Sequence, residues 1–162
     1  GRTYLTTDHS KEAVELFKKV VELSPDFYAA YGDLILCFDR LGEKEKGNEV
    51  LKVAVQMYPR YLSLHPDDAR AHIFFATTLV RLGRIDEAKI KAARAIELSP
   101  NDPLMFYNVA CFYANVGDKP LALQALKNAI TTGYGFFEWI KRDPDLDSIR
   151  NEPEYIELMK GK

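Results

Sequence analysis

Three histidines, two cysteines and one acidic run are the residues of this 162-residue chain whose types could do chemistry. His9, His65 and His72 are scattered, and no two of them, nor a His and a Cys, fall at the helical spacing of a metal-ligand pair. Cys37 and Cys111 lie over 70 residues apart among apolar neighbours, where a thiol is ordinarily buried and inert. Gly133 and Gly135 make no phosphate loop, since no strand signal precedes them and no Lys-Ser or Lys-Thr pair follows. No Gly-x-Ser-x-Gly or kinase signature occurs. The acidic run places carboxylates of Asp143, Asp145, Asp147 and Glu154 at the first, third, fifth and twelfth places of a calcium-loop pattern. Ser148 stands where that loop needs Gly, Arg150 puts a cation inside it, and Pro153 starts a helix just before the last ligand. The expectation is that Asp143, Asp147 and Asn151 cap short helices. No catalytic residue, metal or cofactor is expected.

Charge and cysteine usage narrow the class further. The 22 Lys and Arg against 24 Asp and Glu give a net charge of −2, and a general nucleic-acid binder needs a basic excess. Two cysteines cannot build a disulfide framework or a four-thiolate zinc site, so a reduced, cytoplasmic setting is expected. The longest uncharged stretch, from Pro103 to Gly117, falls short of the roughly 20 apolar residues of a membrane span. No basic-then-apolar signal-peptide pattern is read at the start of the sequence.

The elements that must position these residues are set by an internal repeat. Small residues recur at Ala13, Gly47, Ala88 and Ala122, with spacings of 34, 41 and 34. On the same ruler stand Val20, Ala54, Ala95 and Ala129, and a large column of Tyr4, Phe38, Leu79 and Tyr113. Gly42, Gly83 and Gly117 form a turn column, with Asp8 where the first would be. Ser24-Pro25, Tyr58-Pro59 and Ser99-Pro100 close the blocks. Apolar residues recur at helical spacing on both sides of each turn glycine, and prolines end one helix and begin the next. Strand signals are absent. The pattern predicts an all-α chain with helices near 10–23, 27–41, 44–64, 69–82, 85–98, 103–116 and 119–132.

These residues resemble the tetratricopeptide (TPR) family, whose 34-residue helix-turn-helix unit carries small, aromatic and proline residues in these columns. The block Ala69 to Pro100, "ARAHIFFATTLVRLGRIDEAKIKAARAIELSP", fits best. The resemblance implies a right-handed superhelical solenoid over residues 1–132: a partial first repeat 1–25, a second 26–66, a third 67–100 and a fourth 101–132. In the second block Ile35 fills the column of Gly1, Ala76 and Ala110, and Gly47 is expected to offset its bulk across the hairpin. The same block holds a seven-residue insertion, "YPRYLSL", which adds about two turns and keeps the apolar face in phase. One long helix bent at Pro59 is expected there. Gly1 to Thr6 represent only the end of a first helix, so the chain is expected to be cut from a longer protein. Residues 133–162 are expected to form a short helical C-terminal cap. Its tail, with "LHPDDARA" and "YNVACFYA", is similar to a bacterial TPR subgroup found behind nucleotide cyclases, kinases or DNA-binding regulators.

The resemblance also implies a site. First helices of such repeats line a groove that receives a peptide or helix, which places Leu36, Arg40, Ile73, Thr77, Arg81, Leu104, Tyr107, Cys111 and Asn115 on it. The clamp that some family members use for terminal carboxylates is absent, because Gly32, Leu36, Ile73, Thr77, Tyr107 and Cys111 hold its places. Leu36, Ile73, Leu104 and Tyr107 are apolar without an evident duty inside a repeat, so an exposed patch anchored by Tyr107 is expected. Arg40 and Arg81 along one edge suit a partner with some acidic residues. The expected partner is therefore a protein or peptide, not nucleic acid or membrane. The alternative is a structural role in self-association or docking on the parent's own catalytic domain.

Overall fold

The computed structural model describes residues 10–162. Tyr4, Asp8 and the expected partial helix at Gly1 to Thr6 lie outside the described residues. From there the chain is a succession of helices: α1 (Ser10–Leu23), α2 (Tyr28–Arg40), α3 (Lys44–Leu64), α4 (Ala69–Arg81), α5 (Ile85–Leu98), α6 (Pro103–Asn115) and α7 (Lys119–Thr131). Each agrees with the expected span to within a residue at either end. No strand occurs among the described residues. The tail forms α8 (Phe137–Arg142), a 3₁₀ turn (Pro144–Leu146) and α9 (Pro153–Met159). The described residues fall into two compact units, 10–67 and 68–162.

Within each unit, sequential helices pair as antiparallel hairpins, and the small columns lie in their seams. Ala13, Ala88 and Ala122 are at most 1% exposed, and so are Ala54, Ala95 and Ala129 in the second column. Phe38 and Leu79 of the large column are buried as well. In the first unit, Ala13, Val14, Phe17, Ala30, Leu34, Cys37 and Phe38 form one cluster, with Val20, Val21, Leu41 and Val50 against it. The pairing of Ile35 with Gly47 is looser than volume conservation predicts. A Cβ on Gly47 would sit 3.6 Å from Phe38 Cβ and 3.9 Å from the Ile35 carbonyl, which is ordinary contact distance. The seam has room for one more methyl.

Turns and caps follow from local chemistry. Gly42, Gly83 and Gly117 adopt φ of 72°, 73° and 81°, the left-handed conformation that favours glycine. The next amide then reaches back to the helix: Glu43 to Phe38 O, Arg84 to Leu79 O and Asp118 to Tyr113 O, at 2.9–3.0 Å. Asp68 Oδ1 accepts the Ala71 N–H and Asp102 Oδ1 the Leu104 N–H, each at 2.9 Å, capping α4 and α6.

The insertion yields one unbroken helix, α3, with Pro59 inside it. A proline in a helix interior costs about 3 kcal/mol, because it lacks the N–H and crowds the previous turn. Aromatic packing on both sides offsets this. Tyr58 is buried, and the Tyr28 ring meets it at 6.0 Å and meets Tyr61 edge-on at 5.1 Å.

A paired substitution tests this packing. Gly83→Ala should lower stability by about 1–2 kcal/mol, since a Cβ in the left-handed region is strained. Gly47→Ala should raise stability by about 0.5–1 kcal/mol, since its helical position accepts a methyl. Urea unfolding of both variants measures the difference, and a shared direction of change would contradict the assignment.

Candidate functional site

The nine positions implied for a groove divide by exposure. On α2, Leu36 is 38% exposed and Arg40 is exposed. On α4, Thr77 and Arg81 are exposed, and the Thr77 hydroxyl donates back to the carbonyls of Ile73 (3.0 Å) and Phe74 (2.9 Å). On α6, Leu104 is 41% exposed and Asn115 is exposed. Ile73, Tyr107 and Cys111 are different. Ile73 and Tyr107 are each 3% exposed and Cys111 is also buried, so none of the three is an open contact position. The expected exposed patch anchored by Tyr107 is therefore not present on α6.

What covers Tyr107 is the tail. The 3₁₀ turn packs on α6 and α9 on α7. Tyr134 stacks on the Tyr107 ring, with centroids 4.2 Å apart and planes within 8°. The Tyr107 hydroxyl donates to Asp143 Oδ2 at 2.5 Å, and Cys111 Sγ lies 4.0 Å from the same oxygen. Asp143 Oδ1 accepts the Asp145 N–H at 3.1 Å, so this residue does cap the 3₁₀ turn as expected. The Ser148 hydroxyl donates to the Ala114 carbonyl at 2.9 Å, a second polar tie to α6. Ile140, Leu146 and Ile149 are fully buried and Tyr155 nearly so, whereas Ile156 remains 59% exposed.

Two of the expected caps differ. Asp147 pairs with Arg150 at 2.7 Å, because the guanidinium three residues on is a stronger partner than an amide. Glu152 rather than Asn151 occupies the N-cap position of α9, and it makes no side-chain cap there. Its carboxylate instead reaches Lys119 at 2.6 Å, tying the start of α9 to the start of α7.

Donor atoms of Cys111, Asp143 and Asp145 fall within 4.8 Å of one another. This grouping is not the calcium-loop pattern, since the thiol comes from α6 and Asp147 is turned to Arg150. Both Asp143 oxygens are occupied, by a phenol and by an amide. Sequence reasoning missed the meeting of Tyr107 and Asp143, which lie 36 residues apart. An Asp before Pro at a helix end reads as a cap, and capping accounts for only one of its two oxygens.

Burial, then the Cys111 thiol and the bonded Asp143 carboxylate, push the Tyr107 phenol far above the ordinary tyrosine range. A raised folded value means stability is complete below the unfolded pKa near 10 and falls as pH rises beyond it. Tyr107→Phe should cost about 1–3 kcal/mol at pH 7, because the carboxylate loses a charge-assisted bond. Its stability should also fall less steeply than the parent's above pH 10, as followed by denaturant titration across pH. An unchanged alkaline slope would exclude Tyr107 as the titrating group.

Known proteins place the fold. A family model described as tetratricopeptide repeat matches residues 1–27 and 69–102. The chain is 39% identical over 54 residues to a chloroplastic protein of Arabidopsis thaliana, covering 33% of this chain and 16% of that protein. It is 28% identical over 132 residues to protein O-mannosyl-transferase TMTC3 of Homo sapiens, covering 76% of this chain and 14% of the other. The chain thus spans only a small part of the length of these curated relatives. TTC0263, a thermophilic TPR protein of Thermus thermophilus, superposes with a TM-score of 0.62 at 22% identity, over 85% of this chain and 72% of that one. YrrB, a TPR protein with an unusual peptide-binding site, superposes with a TM-score of 0.52 at 19% identity, over 97% and 78%. At such identities the likeness is one of fold. Among the described residues no helix is long and apolar enough to cross a membrane. Residues 1–27 and 69–102 thus match the tetratricopeptide repeat, and the helical hairpins share the fold of TPR proteins of known structure.

Proposed function

We propose that this chain acts as a protein-interaction module that receives a peptide or helix of a partner on the faces of its first helices. A fold of helical hairpins is that of a scaffold for protein partners, and the finer reading rests on which columns stay open. The observation that carries it is the exposure of aliphatic residues in the first-helix stripes. Leu36 and Leu104 are 38% and 41% exposed, while Phe38 and Leu79 of the large column are buried. Arg40 follows Leu36 by one turn on α2, and Thr77 and Arg81 follow each other in the same way on α4. Aliphatic residues with arginines a turn away suit an amphipathic partner segment that carries acidic residues. We read the module as part of a longer bacterial signalling or regulatory protein, on the resemblance of its tail segments to that subgroup.

Peptides selected by display on the full chain test this reading. Leu36→Ala should weaken the selected peptides that bind the first unit, and Leu104→Ala those that bind the second, about 5- to 20-fold, the size of a moderate hot spot of about 1–2 kcal/mol. Ile90→Ala, on α5 and 66% exposed, should leave them unchanged. Equal losses at Ile90 and Leu104 would move the partner face off the first helices.

A further inference from the structure

The tail buries a carboxylate where a simple cap has no need of one. Ile140, Leu146 and Ile149 are fully buried and already supply apolar cover. Among them stands Asp143, 4% exposed, and among the described residues no ammonium or guanidinium pairs with its carboxylate. The Arg150 guanidinium bonds the Asp143 backbone carbonyl instead, at 2.8 Å. Taking a carboxylate out of water without a counter-ion is costly, and an apolar side chain at that point would avoid the cost. What holds the carboxylate is polar recognition by the α6 face, through the Tyr107 hydroxyl at 2.5 Å. Tyr107 and Cys111 lie in the columns of Ile73, which is buried, and Thr77, which is exposed, one repeat earlier. The segment that delivers Asp143 is acidic, Asp-Pro-Asp-Leu-Asp over residues 143–147, and it is joined to α7 through Gly133 and Gly135. Gly133 has φ of 111°, in the region that favours glycine.

We propose that residues 134–150 are an internal ligand of the α6 face, latched by Asp143 on Tyr107, and that an acidic peptide able to take up the same turn binds this face when the latch is removed. This rests on reading first-helix faces as peptide-receiving. The tail acts as an autoinhibitory occupant: tethered next to its site, it competes at high effective concentration and excludes an outside peptide from the fourth repeat. Asp143 confers the specificity, since a site that hydrogen-bonds a carboxylate rejects a segment lacking one.

The probe is a fluorescent peptide with the sequence of residues 140–152, titrated into the 162-residue chain. It should bind Asp143→Ala at least tenfold more tightly than the parent chain. Asp143→Ala combined with Tyr107→Phe should lose that gain, as should a probe with Ala at the position of Asp143. Hydrogen exchange should show the amides of 134–150 in Asp143→Ala opening at least tenfold faster, with α4 and α5 unchanged. Where Asp143→Ala does not fold, the isosteric Asp143→Asn should give the same ordering of affinities. Tail amides as protected as in the parent would make the tail a fixed cap and overturn the proposal. A tail that opens while the probe binds neither variant would overturn it too. The dependence of display-selected peptides on Leu36 and Leu104 separates that failure from a failure of the first-helix reading.

Discussion

Paired helices in this chain meet where little more than a methyl group stands between them, and most of the architecture follows from that approach. Ala88, Ala95, Ala122 and Ala129 are completely buried in second helices, and Ala76 and Ala110 in first helices. Overpacking a close seam costs about 1–3 kcal/mol, since neighbouring side chains must leave their rotamer wells. Small residues at these points let the larger ones, Phe38 and Leu79 among them, fill the remaining volume at the density of a protein interior. Gly47 sits in one such seam with ordinary clearance, so closeness varies from hairpin to hairpin.

The same constraint explains why an insertion of seven residues is absorbed by lengthening α3. Two added helical turns return the apolar stripe to its original face, and Leu62, one turn after the buried Tyr58, is buried as well. Leu64, near the end of the extension, is 78% exposed. Pro59 is tolerated because the rings of Tyr58 and Tyr61 on either side of it are held by Tyr28 from the facing helix.

The tail obeys a different logic from the repeats. Its aliphatic residues give apolar cover, but its register on α6 and α7 is set by polar contacts: a carboxylate on a phenol, a hydroxyl on a helix carbonyl and a lysine on a glutamate. Apolar contacts are forgiving in direction, while a buried hydrogen bond leaves unsatisfied groups if the segment slips. Asp143 therefore specifies where the segment lies more than it contributes to stability. A first-helix face that holds a carboxylate within the same chain is the chemical precedent for the acidic partner inferred for the open faces.

The sequence by itself determined the repeat, the helix spans and the turns, because these depend on local properties. Left-handed φ at Gly42, Gly83 and Gly117, proline at helix starts and a 3.6-residue apolar period are all readable within a window of a few residues. The exposure of Leu36, Arg40, Thr77, Arg81, Leu104 and Asn115, proposed as partner-facing, was legible in the same way from their places on first helices. Only the tertiary structure decided the fate of Tyr107 and Cys111. Whether a residue on a helix face meets water depends on what else in the chain packs there, and the covering residues, Tyr134 and Asp143, are 27 and 36 positions from Tyr107. Periodicity assigns a side chain to a face. It carries no information about a distant segment that folds back onto that face, because the encounter is set by packing and by hydrogen bonds formed after the chain has closed.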